Sequence, residues 1–214
     1  MSKFLWLFDP GHGGVVAGKY LTEGKRSPKW ADGFPQLFEG EFNRAIVRRL
    51  MEMCQYAGID YVNIVPEDDD ITLRTRVSRA NDLHDAGHKC IYVSIHANAF
   101  EDQSVGGFEV WTSKGLTGAD VVATTFFNHI KQAFISDEKI KFREQAFEDG
   151  DPDREHDDHS KVFYVLKHTK MPAILTENLF MTNPYECKRY LLSKEGRDMI
   201  AEAHFRAILE MERG

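Results

Sequence analysis

The stretch KFLWLFD (3–9) is apolar almost without a break and then runs into Pro10 and a Gly-His-Gly-Gly turn. An apolar run of that length, bounded by turn residues, predicts a strand covered on both faces of its sheet. The period then changes. In EFNRAIVRRLMEMCQYAG, Phe42, Ile46, Leu50, Met53 and Cys54 share one face of a helix that Gly58 ends. YVNIV (61–65) predicts a second strand, and LRTRVSRANDLHDAG a helix capped by Thr72 and closed by Gly87. CIYVSI (90–95) and GFEVWT (107–112) predict further strands, 117–135 a helix, VFYVL (162–166) and PAILTE strands, and 194–212 a terminal amphipathic helix.

Strands that alternate with helices predict an α/β fold: a mostly parallel, mixed central sheet with helices on both faces. No helix separates His96 from Gly107, so the fourth strand is expected to run antiparallel to the third. The chain has no internal repeat and no low-complexity linker, and its 214 residues are read as one domain, 1–214. Two stretches depart from the pattern. The loop from Gly13 to Phe38 is far longer than a usual strand-to-helix connection. Residues 136–161 are charged throughout and read as a solvated loop, with a lid beside substrate as the alternative.

Charge narrows the range of partners. A net charge of −7, from 27 basic and 34 acidic side chains without a basic block, argues against nucleic acid or an anionic membrane. No stretch is long and apolar enough for membrane insertion, and the start of the chain reads as a strand, with no signal peptide. The expectation is a protein made in the cytoplasm; action outside the cell would require release or export by a route other than a visible signal. Cys54, Cys90 and Cys187 are too scattered for a disulfide framework and read as reduced, mostly buried thiols.

The candidate chemistry gathers where an open α/β sheet binds ligands, outside the carboxyl ends of its strands. The first strand ends at His12, the third at His96 and the last at Glu177, and the first helix opens on Glu39 or Glu41. Singly, each has a structural reading: a turn histidine, a histidine capping the next turn, a carboxylate favoured by the helix dipole. Glu177 closes the apolar run AILTE, where a carboxylate costs desolvation unless it has a partner. Together, two imidazoles and a carboxylate with a fourth position open form a catalytic zinc set. A further carboxylate, Glu177, is placed to move the proton of a water that such a metal activates. The glycines around His12 are expected to give the backbone its bend and leave room for substrate.

These residues resemble the zinc-dependent N-acetylmuramoyl-L-alanine amidases of amidase type 3. DPGHGG (Asp9–Gly14), Glu39 four residues before Asn43, SIHAN (Ser94–Asn98) and MPAILTENLFMTNP with Glu177, Asn183 and Pro184 occur in that family's order, over nearly the whole chain. The resemblance implies one zinc ion per chain on His12, Glu39 and His96, and selects Glu39 over Glu41. It implies Glu177 as catalytic base and then acid, with peptidoglycan as substrate and the amide between N-acetylmuramic acid and L-alanine as the bond cleaved. The alternatives are a zinc peptidase or other metal-dependent amidase, and a non-catalytic wall-binding module that has no use for Glu177.

Other candidate features read as structure. His84 and His88 are separated by Gly87, His156 and His159 lie in the charged loop, and the acidic run 67–70 lacks the pattern of a calcium loop. Trp30 and Phe34 suit either sugar stacking or anchoring of the long loop.

Overall fold

A computed structural model describes residues 2–113, 115–142 and 163–214. β1 (Leu5–Pro10) pairs in parallel with β4 (Tyr61–Asn63) on one side and β5 (Cys90–Asn98) on the other. β7 (Ala173–Phe180) adds in parallel to β5, and β6 (Phe108–Trp111) closes the edge antiparallel to β7, giving the order β4-β1-β5-β7-β6. β6 therefore runs opposite to β5 as expected, but β7 lies between the two. The long loop after Gly13 carries its own small hairpin, β2 (Val15–Val16) with β3 (Lys19–Tyr20).

Alternation along the central strands divides the core in two. Trp6, Phe8, Ile91, Val93 and Ile95 face a layer built from α1 (Glu39–Ala57), α3 (Gly118–Ala133) and α6 (Lys194–Arg213). Leu7, Cys90, Tyr92 and Leu175 face the opposite way, onto α2 (Leu73–Asp85) and α4 (Tyr164–His168). Helices thus cover both faces, which is why β1 and β5 read as unbroken apolar runs. All three cysteines are free and buried. Among the described residues, no helix is long and apolar enough to cross a membrane.

Helix ends follow the sequence signals. The Thr72 hydroxyl accepts the Thr75 N–H at the start of α2, Thr117 and Asp120 form a capping box on α3, and Ser193 caps α6. Asn183 caps the short α5 (Pro184–Glu186), and a π-helical turn, Cys187–Leu191, leads from it into α6.

One element differs in kind. Residues 163–166 of VFYVL form no strand: Tyr164–His168 is a helical turn, while Val162 lies outside the described residues. Val165 and Leu166 are buried against Val77 and Ala80 of α2, and the Tyr164 ring stacks on His168 one turn later. A short apolar run carries no period that separates a buried strand from a buried helical turn. Here β6 already occupies the outer edge of β7, while the α2 face of the sheet needs a second cover. In the charged segment, Ile140 is buried and Phe142 bridges to Phe108, so 136–142 docks along β6; 143–161 lies outside the described residues.

Gly58 ends α1 in the left-handed region, at φ 68°, and a Cβ there would meet nothing within 4 Å. Gly58→Ala therefore isolates a backbone cost. It should lower stability by about 1–2 kcal/mol in urea denaturation, and an unchanged midpoint would contradict the conformational reading.

Candidate metal centre

Strand register builds the site. The Gly11 N–H donates to the Ile95 carbonyl, which sets Gly11 beside His96. His96 pairs with Glu177 of β7, and Glu177 pairs with Glu109 of β6. The row His96, Glu177, Glu109 therefore crosses three strands at one end of the sheet, with paired side chains on a common face. A Cβ on Gly11 would stand 2.1 Å from His96 Cε1, so the glycine is the space that the imidazole fills.

α1 delivers Glu39 as its first residue. A Cβ on Gly40 would lie 1.9 Å from the Gly13 carbonyl oxygen, so only glycine lets the first turn of α1 seat directly on the His12 loop. The bend itself differs from expectation. Gly11, Gly13 and Gly14 do not adopt positive φ; His12 does, at φ 64°. The glycines supply close approach, to the His96 ring and to the side chains of Asp68 and Asp70, and the sharp turn falls on the histidine.

The three candidate ligands meet. Glu39 is 2% exposed, and its Oε1 lies 3.2 Å from His12 Nε2 and 3.1 Å from His96 Nδ1. The two rings are nearly perpendicular, with centroids 5.0 Å apart. Glu39 Oε1 also accepts the Ala97 N–H at 3.3 Å, while its Oε2 is buried without a partner. A buried carboxylate oxygen without a donor demands an explanation, and a cation supplies one. The separations fit: ligand atoms about 2.0–2.1 Å from a tetrahedral ion stand roughly 3.3 Å from one another. Among the described residues this is the one group of three His, Cys, Asp or Glu side chains able to hold a metal.

Electrostatics prepares the set unevenly. Burial acts to raise the Glu39 carboxyl, but hydrogen bonds and charge from both histidines hold it well below the usual carboxylate range. Burial lowers His12, and the charge of His96 adds to that against the pull of Glu39. His96, also buried, is nonetheless raised by the Glu39 bond, with help from Glu177 and Asp9. The shifts are opposite although both rings touch one oxygen: burial prevails at His12, while at His96 the charges of Glu177 and Asp9 add to that of Glu39. Without metal, His96 is therefore the more basic of the two rings.

Glu177 lies within β7 rather than at its end. Burial pushes its carboxyl up to about 8, and Glu39 and Glu109 reinforce the shift against His96 and Lys25. Its Oε2 is buried without a hydrogen-bond partner. Glu109 is 7% exposed and accepts from Asn98 Nδ2 at 3.1 Å. Sequence reasoning missed it, although a lone carboxylate in the apolar run GFEVWT carries the same signal as Glu177 in AILTE.

Competing candidates separate cleanly. Glu41 forms a two-point pair with Arg197, at 3.0 and 2.9 Å, away from the histidines. Among the described residues, His84 and His88 join no group able to hold a metal; His156 and His159 lie outside the described residues. In the acidic turn, Glu67 pairs with Arg79, Asp68 with Arg44 and Asp70 with Arg76. Lys188 Nζ sits 4.9 Å over the Trp30 ring and 5.3 Å over Phe34, and pairs with Asp32 at 2.5 Å, an arrangement that anchors the long loop.

Comparison with known proteins places the geometry in context. The sequence profile of one family, described as N-acetylmuramoyl-L-alanine amidase, matches residues 7–210. The endolysin of Bacillus phage SPP1 is 28% identical over 220 residues, covering 99% of this chain and 66% of that protein. The N-acetylmuramoyl-L-alanine amidase LytC of Bacillus subtilis (strain 168) is 25% identical over 183 residues, covering 86% of this chain; the match spans only 30% of LytC. Among solved structures, N-acetylmuramoyl-L-alanine amidase AmiC2 of Nostoc punctiforme aligns at a TM-score of 0.71 and 28% identity, covering 99% of this chain and 98% of that one.

The raised Glu177 has a consequence for stability. A carboxyl raised from 4.5 to about 8 on folding stabilises the fold below 4.5, and that contribution is lost as pH climbs through about 8. Glutamine has no proton to lose. In metal-free protein, Glu177→Gln should therefore gain stability relative to the parent as pH rises across that window, read by urea denaturation at several pH values. A stability difference that does not change with pH would contradict the burial of an ionisable Glu177.

Proposed function

The chain belongs to the N-acetylmuramoyl-L-alanine amidase family, and from that premise we propose that it hydrolyses the amide between the lactyl group of N-acetylmuramic acid and L-alanine in peptidoglycan, using one zinc ion held by His12, Glu39 and His96. The observation that carries the reading is the Glu39 carboxylate, buried between two imidazole nitrogens at 3.2 and 3.1 Å, with Glu177 in register beside His96. Two nitrogens and one carboxylate oxygen are the donor set of a catalytic zinc site rather than a closed structural one. Zinc bound there supplies a Lewis acid that brings the pKa of water toward neutrality and polarises a carbonyl oxygen.

The chain's own residues do the rest. Glu39 is held toward its ionised form and His12 toward its neutral form, the states in which each is a ligand, while His96, raised by Glu39, must be neutral to bind the ion. Glu177, with an unpaired buried oxygen, is the group that accepts the proton of the attacking water and passes it to the departing L-alanine nitrogen. In the metal-free site burial favours its protonated form, and the positive charge of a bound ion would oppose that shift and favour the ionised form that the base role requires.

Mass spectrometry of muropeptides after digestion of purified wall with the zinc-loaded protein tests the bond cleaved. New L-alanine amino termini with no new glycan reducing ends are expected; new termini within the stem peptide would point to a peptidase instead. Glu177→Gln should retain zinc and fold while its turnover falls roughly 10²–10⁴-fold, and full activity in that variant would remove Glu177 from the role. Glu39→Ala should lose most of its zinc and Glu41→Ala should keep it, as metal analysis of the purified proteins would read; the reverse pattern would overturn the ligand set.

A further inference from the structure

The backbone of the His12 turn is gripped from outside. His12 is one of three non-glycine residues with positive φ among those described, and it carries an imidazole where glycine is the usual occupant. Its carbonyl oxygen accepts from two guanidinium groups at once: Arg44 Nη1 of α1 at 2.8 Å and Arg76 Nη2 of α2 at 3.3 Å. The neighbouring carbonyls are held in the same way, Pro10 by Arg76 Nη1 at 2.8 Å and Gly11 by Asn43 Nδ2 at 3.0 Å. On the far side, the Gly13 N–H donates to Thr22 Oγ1 at 2.7 Å and the Gly14 N–H to the Asp68 carbonyl at 2.6 Å.

Neither arginine is there merely to neutralise an acid. Arg44 is 6% exposed, and most of its bonds go to backbone carbonyls, those of His12, Gly40, Glu67 and Asp69. It lies on the helix that carries Glu39, so one rigid element both supplies a candidate ligand and fixes the backbone of another. Arg76 is 2% exposed and is bound in turn by buried Asp9, which also accepts from Tyr92 and Ser94.

We propose that Arg44, backed by Arg76, is a positioning residue for the metal centre: it holds His12 in the left-handed conformation from which its imidazole meets Glu39 and His96. The proposal rests on the metal reading of that site. Released from the two guanidinium groups, the His12 backbone would relax toward negative φ, and the ring would leave Glu39. Groups that orient a ligand from behind typically govern metal affinity by 10–100-fold.

The test uses the full chain and Zn²⁺ alone, with affinity measured by competition against a chromophoric chelator. Arg44→Met should fold, judged by far-UV circular dichroism and cooperative melting, yet bind zinc roughly 10–100-fold more weakly. Arg44→Lys, which keeps a charged donor but cannot span His12 and Glu67 together, should fall between the two. Arg79→Met is the control: Arg79 holds Glu67 and the Ile64 carbonyl close by but does not touch His12, so its loss should leave zinc affinity unchanged. The absorption spectrum of the cobalt-loaded protein should change in Arg44→Met and not in Arg79→Met. Wild-type zinc affinity in Arg44→Met, or an equal loss in Arg79→Met, would overturn the proposal. Should Arg44→Met fail to fold, Arg44→Lys against Arg79→Met decides it by the same criterion. A wild-type chain that takes up no zinc would instead bring down the metal reading itself, and the proposal with it.

Discussion

A carboxylate buried where the strands of a parallel sheet end is the constraint on which the rest of this structure turns. Glu39 is 2% exposed, and a charge so placed costs several kcal/mol unless it is matched by partners. The fold supplies two imidazoles, the Ala97 N–H and the amino-terminal end of α1, whose dipole favours a negative group. For those partners to reach one oxygen, three segments must approach closer than ordinary side chains permit. Gly11 yields its volume to the His96 ring, and Gly40 yields its own to the Gly13 carbonyl. The glycines of this site are thus consequences of burying Glu39.

A second buried charge underlies the first. Asp9 faces the α2 side of the sheet with Tyr92, Ser94 and Arg76 as partners, and Arg76 passes that anchorage to the carbonyls of Pro10 and His12. A non-glycine residue in the left-handed region costs about 1–2 kcal/mol. A hydrogen bond from a charged donor contributes about 1.5–3 kcal/mol, so two of them on His12 exceed the strain. The magnitudes favour the bent turn, and they explain why helices from both faces of the sheet converge on a single carbonyl. Breaking a buried pair such as Asp9–Arg76 typically costs 3–5 kcal/mol, so the site and the stability of the fold are not separable at its base.

Much of this was legible in the sequence, for physical reasons. β1 and β5 are buried on both faces and read as continuous apolar runs; α1 shows its buried face at Phe42, Ile46 and Leu50; Thr72 announces the start of α2. Convergence of His12, His96, Glu39 and Glu177 followed from the rule that strand ends gather at one rim of an open sheet. What stayed hidden depends on tertiary context. The run VFYVL has the composition of a strand, yet Tyr164–Leu166 belong to a helical turn, because the sheet edge was taken and a face was bare. Arg44 and Arg76 look like ordinary arginines of amphipathic helices, since nothing local marks an arginine whose acceptors are carbonyls on another segment. The bend expected of the glycines around His12 falls on His12 itself, because sequence shows which residue tolerates a bend but not which one takes it. Glu109 was readable and was passed over.

The central claim is that His12, Glu39 and His96 form one metal centre, and zinc K-edge X-ray absorption on the zinc-loaded chain tests it most directly. The zinc should be bound by nitrogen and oxygen alone at about 2.0–2.2 Å, with the outer-shell scattering of two imidazoles. A first shell containing sulfur at about 2.3 Å, or a single imidazole, would place the ion elsewhere and contradict the account.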